Sequence, residues 1–145
     1  APDNFGYTPI SACSGLGLDS TITTLAELGG DVKTPDNEGF MAIHVAAQNG
    51  HNSTIRLLAK LGADVEVSNV NAVTPMFMAA SEGRADTVKL LAELGGNVKS
   101  VDMHGSTAMH CASYKGHEQT IRVLAQLGAD PNAVNKTGAT PCHAA

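Results

Sequence analysis

The sequence predicts an all-α repeat fold, an α-solenoid of stacked helix-turn-helix units joined by β-hairpin-like loops. Three observations carry this. Gly29, Gly62, Gly95 and Gly128 recur at a step of 33 residues, and so do Gly17, Gly50, Gly83 and Gly116. Self-similarity at such a step marks a chain built from one stacked supersecondary unit. Between the glycines, the columns Leu25/Leu58/Leu91/Leu124, Ala26/Ala59/Ala92/Ala125 and Leu28/Leu61/Leu94/Leu127 keep the same step, and their internal spacing is helical. Finally, the 145 residues are 43 % apolar but only 3 % aromatic, without Trp. A core of that composition is made of Ala, Leu, Val, Ile and Met, which those columns supply.

Cutting at the turn residues gives units 3–35, 36–68, 69–101 and 102–134 and a partial unit 135–145, one repeat domain with no remainder for a second. Unit three displays the plan. Thr74-Pro75 is a helix start, with a hydroxyl to cap free N–H groups and Pro at the first helical position. Met76, Phe77, Ala79 and Ala80 continue a helix of mostly small residues. Gly83 ends it, as a residue tolerant of positive φ. Thr87 falls in a column with Thr21, Thr54 and Thr120, each followed by Ile or Val. Val88, Leu91, Ala92 and Leu94 form the apolar stripe of the second helix, and Gly95-Gly96 closes it. The polar, turn-rich residues around Asn69 to Ala72 have the composition of a hairpin-like connection.

Nine Lys and Arg against fourteen Asp and Glu leave a net charge of −5, the opposite of what duplex nucleic acid or a polybasic membrane anchor requires. No apolar run approaches the roughly 20 residues that span a bilayer. Cys13, Cys111 and Cys142 are odd in number, far apart and without a C-x-x-C, which reads as small buried hydrophobes in a reducing compartment rather than a disulfide or zinc framework. The chain opens Ala1-Pro2-Asp3, so either a leader has been removed or the sequence is part of a longer one. The compartment stays open between cytoplasm and an organelle.

The unit resembles the ankyrin repeat, a β-turn and two antiparallel helices with a T-P-L-H-x-A signature. That signature is echoed by Thr8-Pro9-Ile10-Ser11-Ala12-Cys13, Met41-Ala42-Ile43-His44-Val45-Ala46, Thr74-Pro75-Met76-Phe77-Met78-Ala79, Thr107-Ala108-Met109-His110-Cys111-Ala112 and Thr140-Pro141-Cys142-His143-Ala144-Ala145. Gly50-His51, Gly116-His117 and Gly62-Ala63-Asp64-Val65 extend the likeness. Four departures stand out. Met41 replaces a capping Thr, at a cost of about 1 kcal/mol. Ala72 replaces a turn glycine, and Ser11 and Phe77 replace the signature His.

The repeat accounts for most of the chemistry-bearing side chains. His44, His110 and His143 sit in the signature column, where the resemblance implies hydrogen bonds within and between repeats, and His51 and His117 share the G-H column. Only His104 lies outside them. His110 and Cys111 are adjacent on one helix, about 100° apart, and cannot converge as base and nucleophile. No phosphate-binding, dinucleotide or nucleophile-elbow motif is present. The expectation is a protein that is not an enzyme and holds neither metal nor cofactor.

What breaks the period is the candidate site. The resemblance implies that the loop tips and first-helix ends line a concave binding face. On this sequence those are Asn4, Phe5, Tyr7, Asn37, Glu38, Phe40, Val70, Asn71, Val73, Met103, His104 and Ser106 at the tips. The helix ends contribute Gly15, Leu16, Gln48, Asn49, Ser81, Glu82, Tyr114 and Lys115. Four of the five aromatics, Phe5, Tyr7, Phe40 and Tyr114, fall in these sets, where exposed rings serve as interface anchors. Loss of Phe40 or Tyr114 is expected to weaken binding and leave stability nearly unchanged. The implied function is a non-catalytic protein–protein interaction module that binds a protein partner, and neither nucleic acid nor membrane interior, on the concave face. The alternative is a structural accessory subunit permanently docked in a larger assembly, such as an organellar photosynthetic or respiratory one. Its support is the fifth unit, which stops inside its first helix at Ala145 and so needs further repeats or a partner to cover that edge.

Overall fold

The computed structural model describes residues 6–141. The helices among them are α1 (Pro9–Leu16), α2 (Asp19–Glu27), α3 (Ala42–Gln48), α4 (Asn52–Lys60), α5 (Pro75–Ser81), α6 (Ala85–Glu93), α7 (Ala108–Lys115) and α8 (Glu118–Gln126). Each odd-numbered helix packs against the even one that follows. The odd helices also pack side by side, α1 on α3, α3 on α5 and α5 on α7, as one continuous layer. Their seams are built of small side chains: Ala46, Ala47, Ala79, Ala80 and Ala112 are fully buried, so the backbones approach closely. Ile22, Ile55 and Val88, with Leu58, Leu91 and Leu124, fill the space between the two helical layers.

The helix boundaries follow local chemistry. At the start of α1, Thr8 is extended (φ −90°, ψ 161°) and its hydroxyl accepts from the Ser11 N–H at 3.1 Å. Met41 has no hydroxyl to offer α3, but its own N–H donates to His44 Nδ1 at 3.0 Å, so half of a reciprocal cap survives. Gly83 is left-handed (φ 70°), and a Cβ there would stand 2.7 Å from the ring of His117. That glycine ends a helix and makes room for the next repeat in one residue.

At the tip of each connecting loop one side-chain oxygen holds two N–H groups, and a second Asp or Asn (Asp31, Asp64, Asn97, Asp130) accepts a further N–H nearer the preceding helix. Asp36 Oδ1 accepts from the N–H groups of Glu38 and Phe40 at 2.8 and 2.9 Å. Asn69 does the same for Asn71 and Val73, Asp102 for His104 and Ser106, and Asn135 for Thr137 and Ala139. The loops then join to one another through the backbone: Val70 N–H donates to the Glu38 carbonyl, Met103 to Asn71 and Lys136 to His104, at 3.2, 3.1 and 2.9 Å. At the left-handed turn position, where Gly39, Gly105 and Gly138 stand in other loops, Ala72 is forced to φ 62°, a strain of about 1 kcal/mol.

Side chains also sew repeat to repeat. His51 Nε2 donates to the Gly15 carbonyl, Arg84 Nε to that of Gln48, and His117 Nε2 to that of Ser81, at 3.0, 3.2 and 3.0 Å. In the signature column, His44 Nε2 donates to the Val73 carbonyl at 2.9 Å and His110 Nε2 to that of Ala139 at 3.0 Å. In the threonine column, Thr54 donates to Asp19, and Thr87 Oγ1 to Asn52 Oδ1 at 2.6 Å. Among the described residues, the buried hydroxyls of Thr74 and Thr120 have no partner. Both vacancies have an identifiable origin. Phe77 stands where α7 has His110, whose Nδ1 lies 3.0 Å from the Thr107 hydroxyl. Ala85 stands one repeat below Thr120, where Asp19 and Asn52 serve Thr54 and Thr87.

Candidate functional site

Loop tips and first-helix ends share one face, and that face carries two depressions of about 270 Å³ each. The first is lined by Tyr7, Asp36, Asn37, Glu38, Phe40, Val45, Gln48 and Met78. The second is lined by Ser81, Asp102, Ser106, His110, Cys111, Tyr114, Lys115 and Asn135. The first therefore brings together five of the residues singled out from sequence, Tyr7, Asn37, Glu38, Phe40 and Gln48. The second brings together four, Ser81, Ser106, Tyr114 and Lys115.

The remaining candidates among the described residues do not line either depression. Val70, at 73 % exposure, Asn71, Met103 and His104 stand on loop tips. Val73 is half-buried, its carbonyl taken by His44. The Asn49 amide donates to the Gly15 carbonyl at 3.1 Å, which makes it a tie between repeats. Leu16 is exposed at the end of α1, and Glu82 is exposed immediately after α5. Asn4 and Phe5 fall outside the described residues.

The two aromatic anchors differ. Tyr114 is 72 % exposed. Phe40 is half-buried and meets the His44 ring edge-on, with centroids 5.4 Å apart and planes at 83°. Loss of Tyr114 leaves packing intact, whereas loss of Phe40 also uncovers His44. Equal neutrality of the two toward stability, expected from sequence, thus gives way to an asymmetry. Among the remaining aromatics, Phe77 is buried, in the signature column of α5.

Seven lining residues were not singled out as site residues, His110 among them because it was assigned to the fold. Val45, Met78 and Cys111 occupy the position just after the signature histidine column and are partly buried, Met78 packing against the core as well as lining the depression. Their signal was present: this column reads Ala12, Val45, Met78, Cys111, varied where the flanking Ala column is nearly constant. The carboxylates and amides of Asp36, Asp102 and Asn135 were missed for a different reason. They hold the loops together, and a 33-residue column of Asp and Asn announces that structural work.

Two titratable groups at or beside the depressions are shifted by burial. Burial, reinforced by the charge of Asp102, pushes the Cys111 thiol up to about 11, so it is a poor nucleophile near neutrality. Burial lowers the His44 pKa, against the opposing pull of the Val73 carbonyl and Asp36. Its geometry agrees, because Nδ1 accepts from Met41 while Nε2 donates to Val73, an arrangement only the neutral ring can make. Among the described residues, no three His, Cys, Asp or Glu side chains are grouped to hold a metal ion, and no helix is long and apolar enough to cross a membrane.

No curated protein sequence matches this chain. The family model for ankyrin repeats (3 copies) matches residues 1–69 and again 61–135. Ankyrin repeats are in general non-catalytic modules of protein–protein interaction, and with the match running over nearly its whole length, this chain belongs to the ankyrin-repeat family.

Proposed function

We propose that the protein is a non-catalytic interaction module that binds another protein across its concave loop-and-first-helix face. The observation that carries this is the clustering of the period-breaking residues. Tyr7, Phe40 and Tyr114 border two depressions on one face, while the buried Phe77 is spent on packing. Large rings with polar surroundings are the usual anchors of a protein interface. The rest of the face is stiffened by the loop-to-loop hydrogen bonds, so little order need be created on binding. Phe40 and Tyr114 are the proposed anchors, with Glu38, Gln48, Glu82, Asn37 and Asn71 as the polar rim.

A photo-cross-linking side chain placed at Gln48 or Tyr114 on this face, and at the exposed Arg56 or Arg122 on α4 and α8, separates the possibilities. In extract from the native source, the front positions are expected to give a discrete protein adduct and the back positions none. Adducts confined to Arg56 and Arg122 would overturn the assignment and point instead to a subunit docked through its second helices.

A further inference from the structure

The two depressions occupy equivalent places in the stack, yet their charge differs. The second has both the carboxylate of Asp102 and the ammonium of Lys115 among its lining residues. The first holds two carboxylates, Asp36 and Glu38, and no Lys or Arg among its lining residues. Its walls are the rings of Tyr7 and Phe40 with the side chains of Met78 and Val45. An anionic occupant would meet uncompensated repulsion there. A purely aliphatic one would strip water from Asp36 and Glu38 without replacing it. A long side chain with an apolar stem and a cationic head fits both features. The stem lies along Val45 and Met78, and the head meets ring faces and carboxylates together.

We infer that the depression bounded by Tyr7, Phe40, Asp36 and Glu38 is a receptor for a single lysine or arginine side chain presented by the protein partner. This rests on the concave-face reading and adds the chemistry of what the partner inserts. The net charge of −5 further favours approach by a basic segment.

The test uses amide-resolved NMR of the full chain titrated with blocked glycyl-lysyl-glycine, its arginine counterpart and its norleucine counterpart. The lysine and arginine peptides are expected to shift amides around Glu38, Phe40, Val45 and Met78, and the norleucine peptide is not. Phe40→Leu keeps an apolar side chain but removes the ring face, and should weaken binding roughly tenfold. Glu38→Gln, at an exposed position, should weaken it roughly threefold and reduce its salt sensitivity. Arg122→Ala, at an exposed position on α8, should leave it unchanged. Equal shifts from norleucine, shifts gathered at the second depression, or indifference to Glu38→Gln would each overturn the inference. Glu38 is exposed, so Glu38→Gln remains decisive even if Phe40→Leu perturbs the fold. Front-face cross-links without a lysine response would refute this inference and spare the broader reading.

Discussion

The junction between the second and third repeats and the junction between the third and fourth are built from the same columns, but they are not equally made. Across the first, His44 reaches the Val73 carbonyl, Arg84 reaches Gln48, and Thr87 reaches Asn52. Glu66 also accepts from the Asn97 N–H at 2.7 Å and the Ser100 hydroxyl at 3.0 Å. Across the second, His117 still reaches Ser81 and Met103 still reaches Asn71. The histidine bond is replaced by the apolar ring of Phe77, and the hydroxyls of Thr74 and Thr120 are orphaned. The lesson is that a residue in a stack has meaning only with its partner one repeat away. Thr120 is the same residue as Thr87, in the same place on its helix, with the opposite energetic sign.

The largest effect is expected at His44. His44→Ala empties a fully buried side-chain site and removes two partly buried hydrogen bonds, and urea denaturation should show a loss of about 3 kcal/mol. A loss under about 1 kcal/mol would erase the claimed advantage of the second–third junction. The same residue sets a pH signature. Its folded pKa lies below the ordinary value of about 6.5, so the unfolded chain binds the proton more readily. The stability His44 contributes is therefore present above about pH 6.5 and is lost as pH falls through its folded pKa. His44→Gln should flatten that part of the acid limb. An unchanged limb would show that His44 is charged in the folded protein.

A smaller contrast sharpens the comparison. Thr87→Val breaks a made bond and orphans Asn52, and should cost about 1–2 kcal/mol. Thr120→Val removes a hydroxyl that has no partner, and should be neutral or slightly stabilising by the same assay. Equal costs would mean that the two junctions are energetically alike. Smaller again, Ala72→Gly relieves the left-handed alanine between the second and third units and should add about 0.5–1 kcal/mol. A loss of stability there would place the strain elsewhere.

The repeat, its helices and its glycine punctuation were legible in the sequence because each is a local preference repeated at a fixed step. The assignment of the histidines at 44, 51, 110 and 117 to the fold was legible for the same reason, while His143 lies outside the described residues. Less could be read of the face. Phe40 and Tyr114 had equal standing in the sequence, but one leans on His44 and the other stands in solvent, a difference set by neighbours a loop away. Phe40 and Val73 with Ser106 and Tyr114 were expected along one surface, and they divide among the first depression, neither, and the second. Val45, Met78 and Cys111 escaped notice because an apolar residue on a short helix looks like core until the loop opposite it is in place. The orphaned Thr120 needed a comparison of two columns, 85 with 120, that no single-repeat reading makes.

That column pairing decides which side chains the junctions consume and which remain for the binding face, and one double-mutant cycle tests it most directly. Asn52 and Ala85 occupy the first residue of α4 and α6 with matching backbone hydrogen bonds to Gly50 and Gly83. Ala85→Asn should therefore give the Thr120 hydroxyl the acceptor it lacks. Urea denaturation should show a gain of about 1 kcal/mol in the wild-type background. In the Thr120→Val background the gain should vanish. The same gain in both backgrounds would contradict the pairing, because asparagine would then be acting on its own helix rather than on its partner one repeat away.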